Sequence, residues 1–234
     1  MATVVSVMDR DGWDANTDII VVVDPSRRRL VWVPRDVWCD AISDRINRAF
    51  ALGGHLALMN ALVQLGLRVD QSLCLQRCAT DQALDGVEVL VRVRKHFRFW
   101  YPLTPTTPIE DGRKPIDFLP PSEILRGERI HQWIGARYER DGGPSTDFDR
   151  IRRQQVLLRA FLKMGFVFSR TVQDRSLVSM SSELALADLG KVRRWWRLRR
   201  YRHLENKTID GMSVLVVRSR RLHFGALGTH RLLC

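Results

Sequence analysis

Asp147-Phe148-Asp149-Arg150-Ile151-Arg152-Arg153-Gln154-Gln155 runs directly into the apolar positions Val156, Leu157, Leu158, Ala160, Phe161 and Leu162. The apolar spacing predicts a helix, and the polar nonapeptide is its first turns. Free backbone N–H groups and the macrodipole favour negative charge there. Arginine adds a planar fork that matches phosphate oxygens in pairs. The stretch therefore reads as an anion site, most simply for phosphate. On charge alone, a solvated basic helix face is an equally good account.

On the N-terminal side, the chain alternates between strand and helix signals. Val4–Met8, Asp18–Val23 and Leu30–Val33 are short apolar runs rich in β-branched residues, as strands of a buried sheet are. Asp24-Pro25-Ser26 turns the chain between the second and third. Gly53-Gly54 precedes a helical pattern through Leu56, Leu58, Met59, Leu62, Val63 and Leu65. Val87–Val93 reads as another strand. Trp100–Pro121, rich in Pro, Thr and Asp, reads as a loop. Pro121-Ser122 is a candidate helix start with Ser122 as its cap. Ser181-Ser182-Glu183 opens a further helix, and Met212–Val217 is a late strand. No strict βαβ rhythm or convincing linker emerges. The expectation is an α/β fold, an α-β-α sandwich with a central mixed sheet flanked by helices, in one domain over residues 1–234.

Composition narrows the class. An apolar content of 45% supports a sizeable core and argues against disorder. The net charge is +12, and ten of those charges arise between Lys191 and Cys234, where twelve Lys or Arg face only Glu205 and Asp210. Within that part, Lys191–Arg202 interleaves cations with Trp195, Trp196 and Tyr201. It suits a basic helix face on an enzyme of polyanionic glycans, a nucleic-acid contact, or a membrane-surface contact replacing an anchor. No nucleic-acid fold signature accompanies it, so nucleic acid is the weaker partner. Cys39, Cys74, Cys78 and Cys234 lack zinc spacing. The six histidines form no ligand set, and His131 reads as structural. No spanning segment or secretory signal is visible, so the expected location is cytoplasmic, with membrane association open.

Acids and arginines gather at strand ends: Asp9 and Arg10 after the first, Asp18 at the start of the second, Arg35 and Asp36 after the third. Loops at one edge of a sheet carry function. Asp9 and Asp18 together can hold Mg²⁺, which takes a few carboxylates and completes its shell with phosphate oxygens. Facing arginines would neutralise a transferring phosphoryl group.

Several of these segments, in order, resemble the LytR-CpsA-Psr family of glycopolymer phosphotransferases. Thr17-Asp18-Ile19-Ile20 is similar to its SDTI strand, and Val33-Pro34-Arg35-Asp36 to its IPRD element. Arg45–Gly54 resembles KINxAYxxGG, Asp85–Val89 resembles GGVxV, and Leu125–Glu128 resembles the start of LxGxxAL, which leads into RxR. Asp147–Gln155 fits DxxRxxRQQ at every specified position. The likeness extends over about Val4–Val167.

The resemblance implies transfer of a glycan phosphate from a polyprenyl-pyrophosphate carrier to a hydroxyl acceptor, with Mg²⁺ near the pyrophosphate and the lipid in an apolar tunnel between sheet and helices. It implies Asp9 and Asp18 as the metal-side acids. Arg35, Arg137 and Arg150 would grip phosphate, assisted by Arg45 and Arg153, while Asp147 and Gln154 complete the pocket. The apolar faces Leu56–Leu65 and Val156–Phe168 serve the core first and lipid second.

Three departures stand out. Gly135 occupies the first arginine position of RxR, Asn16 occupies the arginine position before the SDTI-like strand, and no stretch of residues 1–234 corresponds to the family's N-terminal anchor. Two lost cations weaken a pyrophosphate grip by a few kcal/mol, at roughly 1.5–3 kcal/mol per charge-assisted bond. A less charged donor, or a cytosolic natural-product tailoring reaction at a repurposed site, is the alternative expectation. The residues do not fix the donor, the acceptor or the oligomeric state.

Overall fold

The computed structural model describes residues 1–104, 107–141, 147–164, 174–185, 192, 196–200 and 204–217. In chain order the strands and helices are β1 (Thr3–Met8), β2 (Thr17–Asp24), β3 (Arg29–Val33), β4 (Trp38–Cys39), β5 (Asp44–Arg45), α1 (Ala49–Gln64), β6 (Gln71–Leu75) and α2 (Arg77–Leu84). There follow β7 (Val89–Arg92), β8 (Phe97–Pro102), β9 (Arg113–Phe118), β10 (Ser122–Leu125), α3 (Glu128–Gly135), β11 (Tyr138–Glu139) and α4 (Asp147–Lys163). The last are β12 (Val178–Met180), β13 (Arg197–Arg200), β14 (Leu204–Ile209) and β15 (Met212–Val217).

Six strands form the central mixed sheet, in the order β12-β6-β1-β2-β3-β13. The β2 run Ile19–Val23 is apolar at every position because both faces of the sheet are covered. Side chains alternate across a strand, and here they divide between two layers. Ile20, Val22, Val31 and Val33 pack with Leu58, Ala61 and Leu62 of α1. Val21, Val23, Leu30 and Trp32 pack with Ile151 and Leu162 of α4. The result is the expected α-β-α sandwich.

On its far side α4 meets a second core. Leu157 and Phe161 join Phe99, Phe118, Leu125, Ile130 and Trp133. The Phe118 and Trp133 rings meet edge-on with centroids 5.0 Å apart. Helix α4 is thus apolar on two sides and bridges the main sheet to the smaller ones.

Several local expectations are corrected. The supposed loop 100–121 contains most of a hairpin, β8 with β9, paired from Phe97↔Phe118 to Pro102↔Arg113. Burial of Phe99 and Phe118 outweighs the turn-rich composition, and Pro115 is tolerated because β9 is the edge of its sheet. Ser122 starts strand β10 rather than a helix; its ladder to β7 runs from Ser122↔Arg92 to Leu125↔Val89. Helix α3 begins after Gly127, whose positive φ of 50° suits glycine. Gly53 and Gly54, by contrast, behave as expected: their non-helical backbone breaks α1 at a kink, and the helical stretch with Leu56–Leu65 begins after them. Where the basic segment is described, Arg197–Arg200 is a strand parallel to β3, not a helix face. At Ser182 the hydroxyl accepts from Leu184 N at 3.3 Å and the chain turns helical, but the continuation of that helix lies outside the described residues.

Trp196 lies in the core beside Leu30, Trp32, Ile151 and Leu162, 9% exposed. A stacking platform for bases would leave it open. Trp196→Ala is therefore expected to cost about 3–5 kcal/mol of stability, as deletion of a buried aromatic does. Chemical denaturation checks this; a loss below roughly 1 kcal/mol contradicts the buried placement.

Candidate active site

The ladder itself brings the first charges together. Antiparallel pairing of β2 with β3 sets Ile20 opposite Val33. Two residues further along the same register, Asp18 faces Arg35. On the other flank the β1–β2 register slips, with Val7 opposite Ile19 and Met8 opposite Thr17. Asp18 is thus the extra residue of a β-bulge. Bulges re-aim side chains, and here consecutive residues Asp18 and Ile19 both reach the face that α4 covers. Asp9 follows β1 at the same sheet end, its N–H bonded to Asn16 O at 2.8 Å.

Arg150, on the early turns of α4, completes the cluster. Its Nη1 lies 3.1 Å from Asp18 Oδ1, and Arg35 Nη1 lies 2.6 Å from the same oxygen. Arg35 Nη1 is also 3.8 Å from Asp9 Oδ2. Behind them Asp36 receives Arg150 Nη2 at 3.6 Å, Arg35 Nε at 3.9 Å and Arg45 Nη1 at 3.5 Å. Burial works to raise the Asp18 carboxyl, but Arg150 and Arg35 outweigh it and hold it below the usual range, with Arg137 adding to their effect. Asp9 behaves oppositely. Burial raises it, Arg35 offsets this only in part, and the nearby Asp18 charge adds to the rise. Arg35 is pushed up because Asp18 and Asp36 overcome its burial.

These groups line a cavity of about 430 Å³. Asp9, Asp18, Arg35, Arg137 and Arg150 all reach it. Arg137 stands just past α3 and is exposed. Beyond it lies a second, apolar cavity of about 130 Å³ between the sheet and α4. Val7, Ile19, Thr80 and Ile134 line both, so the two share a wall.

Not every residue expected at the site reaches the polar cavity. Arg45 stands behind it, on Asp36. Arg153 is buried, with Nε donating to Trp133 O at 2.9 Å and Nη2 donating to Ala136 O. Its guanidinium lies 4.6 Å from the centroid of the Phe99 ring. Burial, with Arg150 adding to it, lowers Arg153 to about 10. It fastens the end of α3, and so the segment carrying Arg137, instead of facing substrate. Gln154 donates to Ile134 O at 3.4 Å and lines the apolar cavity. The Asp147 side chain lies outside the described residues. The α1 face Leu56–Leu65 packs on the opposite side of the sheet from either cavity, leaving Leu56 and Val63 exposed. Sequence reasoning did not single out Arg77, Trp100 and Tyr101, and it read His131 as structural; all four line the polar cavity. The sequence reading passed over the β6–α2 unit carrying Arg77, whose signal is the strand-like Gln71–Leu75 followed by a short amphipathic run.

Asp9 and Asp18 are the donors available to a metal. No group of three or more acidic, His or Cys side chains suited to a metal converges among the described residues. Two carboxylates are the kind of donor set that Mg²⁺ takes when water or ligand oxygens complete its shell.

The sequence matches the LytR_cpsA_psr family over residues 6–217, and the chain belongs to that family. Solved structures share its fold. TagT bound to LI-WTA superposes with a TM-score of 0.64 at 15% identity, covering 93% of this chain and 84% of that one. TagV of B. subtilis gives 0.63 at 14% identity, covering 93% and 90%. A protein of Enterococcus faecalis described as a transcriptional regulator gives 0.64 at 16% identity, covering 93% and 81%. No curated protein sequence matches the chain at a significant level. No helix among the described residues is long and apolar enough to cross a membrane.

The two acids differ in what they do for the fold. Asp18 has a lowered folded pKa, so its contribution is present above its ordinary value near 4 and is lost as pH falls through the folded value. Asp18→Asn leaves two buried guanidiniums short of their partner and is expected to cost about 3–5 kcal/mol at pH 7. Asp9 has a raised folded pKa, so its ionised form costs stability at neutral pH. Asp9→Asn is expected to raise Tm at pH 7. Thermal unfolding of the pair checks both signs, and a Tm loss in Asp9→Asn contradicts this assignment.

Proposed function

We propose that the chain is a transferase that moves a glycosyl-phosphate or glycosyl unit from a lipid-linked, phosphate-activated donor to a hydroxyl acceptor. The observation that carries this is the shared wall of the two cavities. A pocket lined by Arg35, Arg137 and Arg150 lies against an apolar space between sheet and α4, with Val7, Ile19, Thr80 and Ile134 as their common wall. An amphiphile with a phosphate head and a prenyl-like tail fits that pairing; a sugar nucleotide would have no use for the apolar half. The structure of TagT bound to LI-WTA, which shares this fold, supports the same class of ligand.

Attack of the acceptor oxygen on phosphorus forms one P–O bond. The bond to the bridging oxygen breaks, and the leaving lipid phosphate departs with the electron pair. The hydroxyl proton goes to water. Little covalent help is required, so positioning and charge neutralisation dominate. Arg35 and Arg150 are fixed by Asp18 before substrate arrives, so no reorganisation is needed at the moment of transfer. Asp9 and Asp18 would hold Mg²⁺, which when bound neutralises charge on the phosphate oxygens. The basic C-terminal part offers no nucleic-acid platform among the described residues, since Trp196 is in the core.

Arg137 is the residue to test, because it is exposed and its loss spares the packing. Arg150 is a poorer choice: its removal leaves the partly buried Asp18 and Asp36 carboxylates less compensated. Arg137→Ala is expected to lower transfer from a short-chain prenyl-pyrophosphoryl sugar by roughly tenfold or more with Tm unchanged. Unaltered kcat/KM in that variant overturns the proposal.

A further inference from the structure

We infer that Arg77 and the Tyr101 hydroxyl form a second phosphate-binding wall of the cavity, facing a different phosphate from the one held by Arg35, Arg137 and Arg150. The inference rests on the reading of the cavity as a phosphate-ester site. It adds the residues that distinguish a diphosphate from a monophosphate.

Parallel pairing of β1 with β6 sets Val7 beside Leu75, so the two strands end together at the charged edge of the sheet. Helix α2 starts two residues later. Arg77, its first residue, therefore lands next to Asp9, and its Nη1 donates to Asp9 O at 3.5 Å. The nearest carboxylate, Asp81 Oδ2, is 4.0 Å from Arg77 Nε. The other oxygen of Asp81 is taken by His131 Nε2 at 2.5 Å. Tyr101 lines the same cavity wall as Arg77, and the Arg77 charge acts on its hydroxyl. Arg35, by contrast, has Asp18 at 2.6 Å.

Arg77 is thus a guanidinium with a side chain only 23% exposed, held by a carbonyl at 3.5 Å and a carboxylate at the limit of ion pairing, on the same cavity wall as the Tyr101 phenol. A cation withdrawn that far from water is costly unless closely paired. A ligand anion in the cavity would supply the missing partner. There is room for one. A Cβ placed on Gly135 would meet only Tyr101, at 3.7 Å from its oxygen and 3.8 Å from Cε2, both ordinary contacts. Gly135, Arg77 and Tyr101 line the same cavity, so a side chain at 135 would project into it. An arginine at 135 would enter the same space, so Arg77 supplies from α2 the cation that the resemblance places at the end of α3.

The test uses geranyl diphosphate and geranyl monophosphate with the full chain, titrated by calorimetry and by intrinsic tryptophan fluorescence, to which Trp100 on the cavity wall contributes. Wild type is expected to prefer the diphosphate. Arg77→Ala should weaken diphosphate binding by roughly tenfold or more while changing monophosphate binding little. Adding Gly135→Arg to Arg77→Ala should restore the diphosphate preference. Tyr101→Phe, which keeps the ring, should give a smaller loss in the same direction and serves if Arg77→Ala fails to fold. Equal effects on both ligands, or none, overturn the inference while leaving the proposed function standing. Failure of wild type to bind either ligand overturns the proposed function and the inference with it.

Discussion

Two buried guanidiniums converge on one oxygen of Asp18, and the charged end of the molecule is organised around that contact. Arg35 arrives from the end of β3 and Arg150 from α4, so the single carboxylate ties the sheet to the helix layer. Neither arginine would be tolerated there alone, since burying an unpaired charge costs several kcal/mol. Among the residues lining the cavity, Arg35, Arg77, Arg137 and Arg150 face Asp9, Asp18 and Glu110. The balance leaves the cavity electropositive. An anion entering it meets donors already aimed and held.

The bulge at Asp18 and the two-sided packing of α4 join this charged edge to an apolar interior. The sheet face that carries Val7 and Ile19 runs from the arginines into the space under Leu157 and Leu158. One wall therefore serves both polar and apolar cavities. Arg153 and Gln154, which follow Arg150 in α4, donate to carbonyls of α3 instead of reaching the polar cavity, and so hold the Arg137 segment against the helix.

Much of this was legible in the sequence because it follows from strand register. Once Asp18–Val23 and Leu30–Val33 are strands joined by a tight turn, Asp18 and Arg35 must end up adjacent. The role of Arg153 was not legible. Residues three apart on a helix differ by about 60° around its axis, so a run of arginines cannot all face one cavity, and the motif does not say which will. The β8–β9 hairpin escaped notice because its Pro, Thr and Asp content resembles a loop; only the pairing and the burial of Phe99 and Phe118 make it a sheet. Arg77 escaped because nothing in the linear sequence brings the start of α2 beside Asp9. That neighbourhood depends on β6 lying parallel to β1, a contact between residues about seventy positions apart.

The central claim is that the Asp18-anchored arginines and the apolar space behind them receive a single amphiphilic phosphate ester. A crystal structure of the protein soaked with a short prenyl diphosphate tests it most directly. The account predicts phosphate density between Arg35 and Arg137, with the hydrocarbon chain passing Ile19 and Ile134 toward Leu158. Phosphate bound elsewhere, or a chain directed away from α4 into solvent, would contradict it.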